Sequence, residues 1–367
     1  MHPTSTGDGP PGALPRPEVP LIGIVDGHND LPWRMRSFDY DLTRTDLGQV
    51  QTEGHTDLPR ARQGGLVGQF WSVFVPCHFR GADAVTATLQ QIDFVHELVA
   101  RYPEDLALVT SSAGLRECID AGAGGPIGSL LGAEGGHSID NSLGVLRNLY
   151  RLGVRYLTLT HNDNNDWADS ATDEACHHGL TDFGRTVIAE MNRLGMMVDL
   201  SHTAPATMHA ALDASRAPVI FSHSSCRAVH DHPRNVPDDV LRRLHDTDGI
   251  VMITFVPKFV TDKRPATIDD VVAHVEHARE VAGLDHIGIG GDYDGVTETP
   301  DGLEDVASYP RLLAALAERG WHRRELEKLA HGNLVRVMDR VEHIAARLRM
   351  ATEPHWQTVT DLSAAGS

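Results

Sequence analysis

The stretch LIGIVDGHND, residues 21–30, contains the pattern that decides the fold. A short apolar run, Leu21–Val25, is followed directly by polar residues that can bind metals or transfer protons. Similar runs recur along the chain, mostly rich in Val, Ile, Leu or Thr and adjacent to Gly or Pro, which is typical of buried strands. The eight runs are Leu21–Val25, Gln69–Val75, Ile127–Leu131, Arg155–Thr160, Met196–Leu200, Pro218–Phe221, Ile250–Phe255 and His286–Ile289.

Amphipathic helical patterns separate most of these runs. They cover Ala84–Tyr102, Ser142–Leu152, Thr181–Leu194, Ala204–Ala214, Asp238–His245 and Thr267–Ala282. Strands that alternate with helices predict an α/β fold, a (β/α)8 or TIM barrel, padded by C-terminal helices over Arg311–Arg319 and Arg323–Arg349. A doubly wound open sheet is the alternative, although no G-x-G-x-x-G motif follows a strand. Leu108–Thr110 is a candidate additional strand.

The predicted organisation is a flexible N-terminal arm over residues 1–20, a single catalytic barrel over 21–350 and a polar C-terminal tail over 351–367. The arm is rich in Pro and Gly and lacks the apolar segment of a signal peptide. No apolar run reaches the ~18 residues of a membrane-spanning helix. The formal charge of −19 argues against nucleic acid or an anionic membrane as a partner. We therefore expect a soluble cytoplasmic enzyme and leave a homodimer open.

Histidines and carboxylates follow six of the eight predicted strands. In a barrel, residues just beyond the carboxyl ends of the strands form the active site. His28 and Asp30 follow the first run, and their spacing lets both side chains face one ion. His202 and His223 follow the fifth and sixth runs. Imidazole and carboxylate together suit a divalent metal such as zinc, whereas each residue alone is as compatible with a structural role.

The distribution of lysine bears on how a pair of metals would be bridged. All three lysines of the chain lie at or after Lys258, so none lies on the first six predicted strands. A carboxylated lysine cannot bridge two ions there, and Glu134, which follows the third run, is the candidate bridge. Asp292, after the eighth run, is placed to shuttle protons. His161, after the fourth run, either supports the site from behind or touches the substrate, and we favour the substrate.

Several longer motifs stand in a fixed order over residues 22–345. They are DGHNDLP (26–32), GGHSI (135–139), LTHN (159–162), DLSH (199–202), FSHSS (221–225), RNVPDD (234–239) and GGDYDG (290–295). In this order the motifs resemble the renal (membrane) dipeptidase family of zinc peptidases, within the amidohydrolase superfamily. The chain looks like a soluble, bacterial-type member of that family.

The resemblance implies a binuclear zinc dipeptidase on a (β/α)8 barrel. One zinc ion would be held by His28 and Asp30, and the other by His202 and His223. Glu134 would bridge the two ions. These are the same residues that the strand ends select.

The resemblance also implies how a dipeptide is cleaved. A metal-bridging hydroxide attacks the peptide carbonyl, and His161 contacts the scissile carbonyl oxygen. Asp292 takes the proton and delivers it to the leaving amine. Arg234 holds the terminal carboxylate of the substrate, a role that the acidic net charge strengthens because the overall field does not attract anions. The family often tolerates a D-residue on the C-terminal side.

Two departures from the family pattern concern an internal disulfide and the substrate site. Cys77 matches one half of a family disulfide, but Asp163 occupies the partner position, so no bridge is expected. Val256 stands where the family has a tyrosine near the substrate, which leaves the side-chain preference open. The alternative functions are hydrolysis of an N-acyl amino acid or a β-lactam by the same metal pair, and metal binding without catalysis.

Overall fold

A closed barrel of eight parallel strands forms the centre of the fold. It is seen in a computed structural model that describes residues 21–359. The strands are β1 (Ile24–Asn29), β2 (Leu66–Phe74), β3 (Leu106–Leu108), β4 (Ile127–Glu134), β5 (Val154–Thr158), β6 (Met197–Asp199), β7 (Val219–Ser224), β8 (Ile250–Ile253) and β9 (Ile287–Ile289). The ring runs β1-β2-β4-β5-β6-β7-β8-β9, and β9 pairs with β1 to close it. The predicted (β/α)8 barrel is confirmed.

The short strand β3 lies outside this ring. Leu106 pairs with Ile127 at the start of β4, whereas β5 pairs with the later part of β4. The additional strand was predicted over Leu108–Thr110 and begins two residues earlier. The shift follows burial, because Leu106 is in the core and Thr110 is exposed.

Helices connect the strands and cover the outside of the barrel. They are α1 (Leu31–Arg36), α2 (Leu58–Gln63), α3 (Gly81–Arg101), α4 (Ser112–Ala121), α5 (Leu143–Arg151), α6 (Asp182–Leu194), α7 (Pro205–Ala214), α8 (Asp238–Thr247), α9 (Pro257–Val260), α10 (Ile268–Ala282), α11 (Tyr309–Glu318), α12 (Arg323–Glu327) and α13 (Asn333–Ala351). Side chains of Ser111, Ser142 and Thr181 accept backbone hydrogen bonds and so cap the starts of α4, α5 and α6. The predicted helix Arg323–Arg349 is interrupted at Lys328–Gly332, where the backbone widens into a π-turn.

Side chains from the strands fill the lower part of the barrel. They include Phe70, Leu130, Tyr156, Ile220 and Met252, all fully buried and in one apolar cluster. The barrel is therefore a packed core and not a pore, as is usual for this architecture. This layer forms the floor on which the polar ends of the strands rest.

The structure describes part of the predicted C-terminal tail but none of the predicted N-terminal arm. The predicted arm over residues 1–20 lies outside the described residues, as do residues 360–367 of the predicted tail. The tail has no regular structure over 352–358, yet the backbone N–H of His355 donates to Glu190 (3.3 Å) and Arg147 donates to the His355 carbonyl (2.8 Å). Within residues 21–359, no helix is both long and apolar enough to cross a membrane.

Glu190 is a buried carboxylate whose loss should destabilise the protein. It forms ion pairs with Arg147 (3.0 Å) and Arg193 (2.8 Å). We expect Glu190→Gln to lower the free energy of unfolding by about 3 kcal/mol, because two buried guanidinium groups lose their counter-charge. Urea unfolding at pH 7 checks this, with Glu97→Gln as a control, since Glu97 is exposed on α3. Equal stability of the two variants would contradict the prediction.

The loss of stability in Glu190→Gln should depend on pH. Burial alone would raise the pKa of Glu190, but hydrogen bonds from Arg193 and Arg147 outweigh it and lower the pKa. A carboxyl group with a pKa lowered by folding stabilises the protein fully above its unfolded pKa and loses that contribution as the pH falls through the folded pKa. The difference in stability between the wild type and Glu190→Gln should therefore shrink in acid.

Candidate functional site

The carboxyl ends of the barrel strands surround a cavity of about 260 Å³. All eight residues that the sequence analysis selected meet at this cavity or directly beneath it. They are His28, Asp30, Glu134, His161, His202, His223, Arg234 and Asp292. His28 is fully buried at the bottom, and the other seven line the cavity wall.

Three of these residues lie within strands, where the sequence had placed them just beyond the strand ends. His28 is in β1, Glu134 is the last residue of β4 and His223 is in β7. The predicted strands stopped where the apolar residues stop, but backbone pairing continues, as in Glu134↔Thr158. A polar side chain can end a buried strand here because it faces the other polar groups of the cavity.

Glu134 stands between two groups of potential metal ligands. Its Oε2 lies 3.6 Å from Nε2 of His28, which is itself 3.4 Å from Oδ2 of Asp30. Its Oε1 lies 3.0 Å from Nε2 of His202 and 3.4 Å from Nε2 of His223. Each carboxylate oxygen of Glu134 therefore faces a different group.

The donor atoms of this cluster fit divalent cations. Nε2 of His28 and Oδ1 of Asp30 are buried without a hydrogen-bond partner among residues 21–359. Nε2 of His202 and Nε2 of His223 face each other at 3.0 Å, an arrangement suited to two lone pairs that share a cation. Burial lowers the pKa of both histidines well below the usual value. Both are therefore neutral at pH 7, as metal-binding imidazoles must be.

A tyrosine hydroxyl sets the tautomer of His28. The Tyr156 hydroxyl donates to the Gly27 carbonyl (3.2 Å) and lies 2.9 Å from Nδ1 of His28. Because the Tyr156 hydroxyl donates its hydrogen bond to Gly27, it accepts one from the Nδ1–H of His28. His28 is then protonated on Nδ1, and the lone pair of Nε2 is directed at the cluster. Sequence reasoning gave Tyr156 no role, although it was the one hydroxyl-bearing aromatic residue in its apolar run, Arg155–Thr160.

A buried carboxylate sets the tautomer of His223 through the hydroxyl of Ser222. The Ser222 hydroxyl donates to Asp199 (2.6 Å) and lies 2.8 Å from Nδ1 of His223. Asp199 also accepts from the Thr158 hydroxyl (2.5 Å) and from the backbone N–H of Ser201 (3.1 Å). Sequence reasoning assigned no role to Asp199, whose position at the end of the fifth predicted strand was the available signal.

Two residues of the site adopt left-handed backbone conformations. His202 has φ +68° and Asp292 has φ +64°. This conformation costs a non-glycine residue about 1–2 kcal/mol, so the surrounding structure must hold it. The Thr160 hydroxyl donates to the carbonyl of His202 (3.2 Å), and the N–H of Asp292 donates to the carbonyl of His28 (3.1 Å). The strain is located where the side chains face the cavity.

The carboxyl group of Asp292 is buried close to other carboxylates, so its negative charge is unfavourable there. Its Oδ1 lies 3.9 Å from Nε2 of His28. Burial raises the pKa of Asp292 well above the usual value, and the carboxylates of Asp30 and Glu134 add to the rise. Gly295 approaches so closely that a side chain there would collide with Asp30 and Asp292. A carboxyl group with a raised pKa can exchange protons near neutral pH.

Arg234 contributes a positive charge to the wall of the cavity. It is only 2% exposed, and its Nη2 donates to the carbonyl of His223 (3.3 Å). Its Nε and Nη1 are buried without a partner in the described part of the chain. Burial lowers the pKa of Arg234 to about 10, which still leaves it protonated at pH 7. A buried guanidinium with two unused donors fits a carboxylate of a ligand.

His161 lies beside the ligand cluster and faces a thiol. Its ring centre is 4.3 Å from that of His202, and its Nδ1 is 3.5 Å from Sγ of Cys77. Burial lowers the pKa of His161, so the ring is neutral at pH 7. Cys77 is a free thiol, and Asp163, at the position of the absent disulfide partner, lies 3.8 Å from Arg80.

Known proteins resemble this chain over most of its length. Residues 20–352 match the family model described as membrane dipeptidase (peptidase family M19). Dipeptidase verJ of Clonostachys rogersoniana is 46% identical over 348 residues, which are 92% of this chain and 88% of that protein. Dipeptidase 3 of Rattus norvegicus is 47% identical over 328 residues, which are 88% of this chain and 65% of that protein.

A solved structure shares the fold of this chain. It is a metallopeptidase from Rhodobacter sphaeroides, liganded with a phosphinate mimic of the dipeptide L-Ala-D-Ala. It matches with a TM-score of 0.80 at 26% identity and covers 88% of this chain and 100% of that chain.

Proposed function

The chain belongs to the membrane dipeptidase family, peptidase family M19, and from this premise we propose that it cleaves dipeptides at the cavity described above. One observation carries the proposal. Glu134 stands between two groups of potential metal-ligand atoms, and Arg234 presents two unused donors to the same cavity. A cavity of about 260 Å³ suits a substrate of this size.

We assign two divalent cations to the cluster, with zinc as the ion that imidazole and carboxylate ligands suit well. His28 and Asp30 would hold one ion. His202 and His223 would hold the other, and Glu134 would bridge them. When bound, such a pair lowers the pKa of a water molecule and so supplies a nucleophile near neutral pH.

The residues of the chain bind the substrate and move its protons. Arg234 binds the terminal carboxylate and so sets the position of the peptide bond. His161 donates a hydrogen bond from Nε2 to the carbonyl oxygen, on which negative charge develops. Asp292 accepts the proton of the attacking water and delivers it to the leaving amine. The raised pKa of Asp292 supports this role.

We further propose that a D-residue is accepted at the C-terminal position. Support comes from the Rhodobacter metallopeptidase, which was solved with a mimic of L-Ala-D-Ala. The test is a screen of L-X-D-Y and L-X-L-Y dipeptides on zinc-loaded protein, beside N-acyl amino acids and β-lactams. We expect turnover of dipeptides of both kinds and little turnover of the other two classes. Faster hydrolysis of N-acyl amino acids would overturn the assignment.

Arg234→Met should raise KM far more than it lowers kcat. We expect KM to rise about 100-fold, because a buried charge pair with the substrate carboxylate is lost. Steady-state kinetics on one dipeptide and on its C-terminal amide measure this effect. The amide lacks the carboxylate, so its kcat/KM should differ much less between the wild type and the variant. An unchanged KM for the free dipeptide would remove Arg234 from substrate binding.

A further inference from the structure

We propose that Lys258 makes the cavity selective for dipeptides whose C-terminal residue is acidic. The inference rests on the proposed function and on the placement of the substrate carboxylate at Arg234. Lys258 would supply a second cationic side chain, beside Arg234, that recognises the side-chain carboxylate of Asp or Glu. The cavity would then hold a substrate with two negative charges at one end.

Lys258 is unusual among the lysines of the chain. Of the three lysines, Lys263 pairs with Asp270 at 2.9 Å and Lys328 pairs with Asp285. Lys258 lines the cavity, and no carboxylate among residues 21–359 lies within ion-pair distance of it. Its side chain is exposed at the cavity, so its ammonium group is available to a ligand.

One aromatic ring limits the distance between Lys258 and Arg234. The guanidinium carbon of Arg234 and Nζ of Lys258 each lie 5.1 Å from the ring centre of Phe259. The two charged groups are thus no more than about 10 Å apart. Phe259 is buried in the cavity wall, and both cations lie beside its ring.

This upper limit is compatible with the two carboxylates of an acidic residue. Bond lengths near 1.5 Å put the α-carboxylate and the side-chain carboxylate of Asp or Glu roughly 4–5 Å apart. Each carboxylate stands about 3 Å from the cation that binds it. With Arg234 on the α-carboxylate, the side-chain carboxylate therefore reaches Lys258.

The other charges around the cavity do not favour an acidic side chain, so the preference depends on Lys258. The cavity is also lined by Asp30, Glu134, Asp292 and Asp294, and the chain as a whole has a charge of −19. An acidic side chain therefore gains only from local cations. A basic side chain at the same position would lie beside Lys258 and be repelled. The preference predicted is acidic over amide, and amide over basic.

The experiment compares substrates that differ by one charge and keep their shape. We would measure kcat/KM for Ala-Asp against Ala-Asn and for Ala-Glu against Ala-Gln, in the C-terminal configuration that the enzyme accepts. The wild type should prefer each acid by roughly two- to fivefold. Lys258→Met should lower the acid-to-amide ratio to near one, and Lys258→Glu should invert it and favour Ala-Lys.

Lys263→Met is the matched control, because Lys263 lies on the same segment and already has a partner in Asp270. It should keep the acid-to-amide ratio of the wild type. Equal rates on acids and amides in the wild type, or an unchanged ratio in Lys258→Met, would overturn the role of Lys258 and leave the dipeptidase assignment standing. Absence of turnover on all of these dipeptides would instead overturn the proposed function itself.

Discussion

Asp292→Asn should keep its metal ions and lose most of its turnover, with kcat about 1000-fold lower. Asparagine has nearly the shape of aspartate but cannot accept a proton. Asp292 Oδ1 is 3.9 Å from Nε2 of His28, whereas Asp30 Oδ2 is nearer, at 3.4 Å. We therefore expect the ligand cluster to hold its ions without the Asp292 carboxylate.

Two measurements on the same preparation test this result. Metal per chain comes from atomic spectroscopy after dialysis, and kcat comes from dipeptide hydrolysis at saturating substrate. Asp93→Asn is the control, since Asp93 is exposed on α3. Full activity in Asp292→Asn would remove Asp292 from the mechanism. Loss of metal would make it a ligand and not a proton shuttle.

Glu134→Gln should lose both metal and activity. The two oxygens of Glu134 face different groups of ligands, so a side chain with one oxygen cannot serve both. The amide group of glutamine would also present an N–H donor to an imidazole nitrogen or to a cation, and this nitrogen cannot bind a metal ion. We expect less than one metal ion per chain after dialysis and a decrease in kcat of about 10,000-fold, because metal-derived stabilisation amounts to several kcal/mol.

Circular dichroism of Glu134→Gln should remain that of the wild type, because the core beneath the cluster is unchanged. Glu97→Gln again supplies a control at an exposed glutamate. Two tightly held ions per chain in Glu134→Gln would show that Glu134 is not the bridge. Retained activity at one ion per chain would show that a single metal suffices.

The fold was accessible to sequence reasoning because each strand is a separate apolar run bounded by polar residues. The same boundary pointed to the site, since His28, Glu134 and His223 stand where apolar residues give way to polar ones. The strand ends themselves were misplaced in β1, β4 and β7. A buried polar residue in a strand looks like the start of a loop when its partners on neighbouring strands are unknown.

The supporting residues were missed because their roles depend on pairing across the barrel. Tyr156 lies 128 positions from His28, and its apolar neighbours suggested only core packing. Asp199 receives hydrogen bonds from β5 and β7, on either side of its own strand. Neither contact has a local spacing that a sequence pattern could detect.

Closure of the barrel by its first and last strands has a consequence for the maturation of the protein. The N–H of Gly291 donates to Asp26, 265 positions earlier in the chain, and His28 and Asp292 meet just above this contact. During synthesis, His28 leaves the ribosome long before Asp292 exists. Contacts at such separation form late, because the entropy of closing a long loop must be overcome first. We expect the approach of Asp292 to His28 to be a late step of folding, so that a chain still lacking β9 carries all the proposed metal ligands but not the proposed proton shuttle.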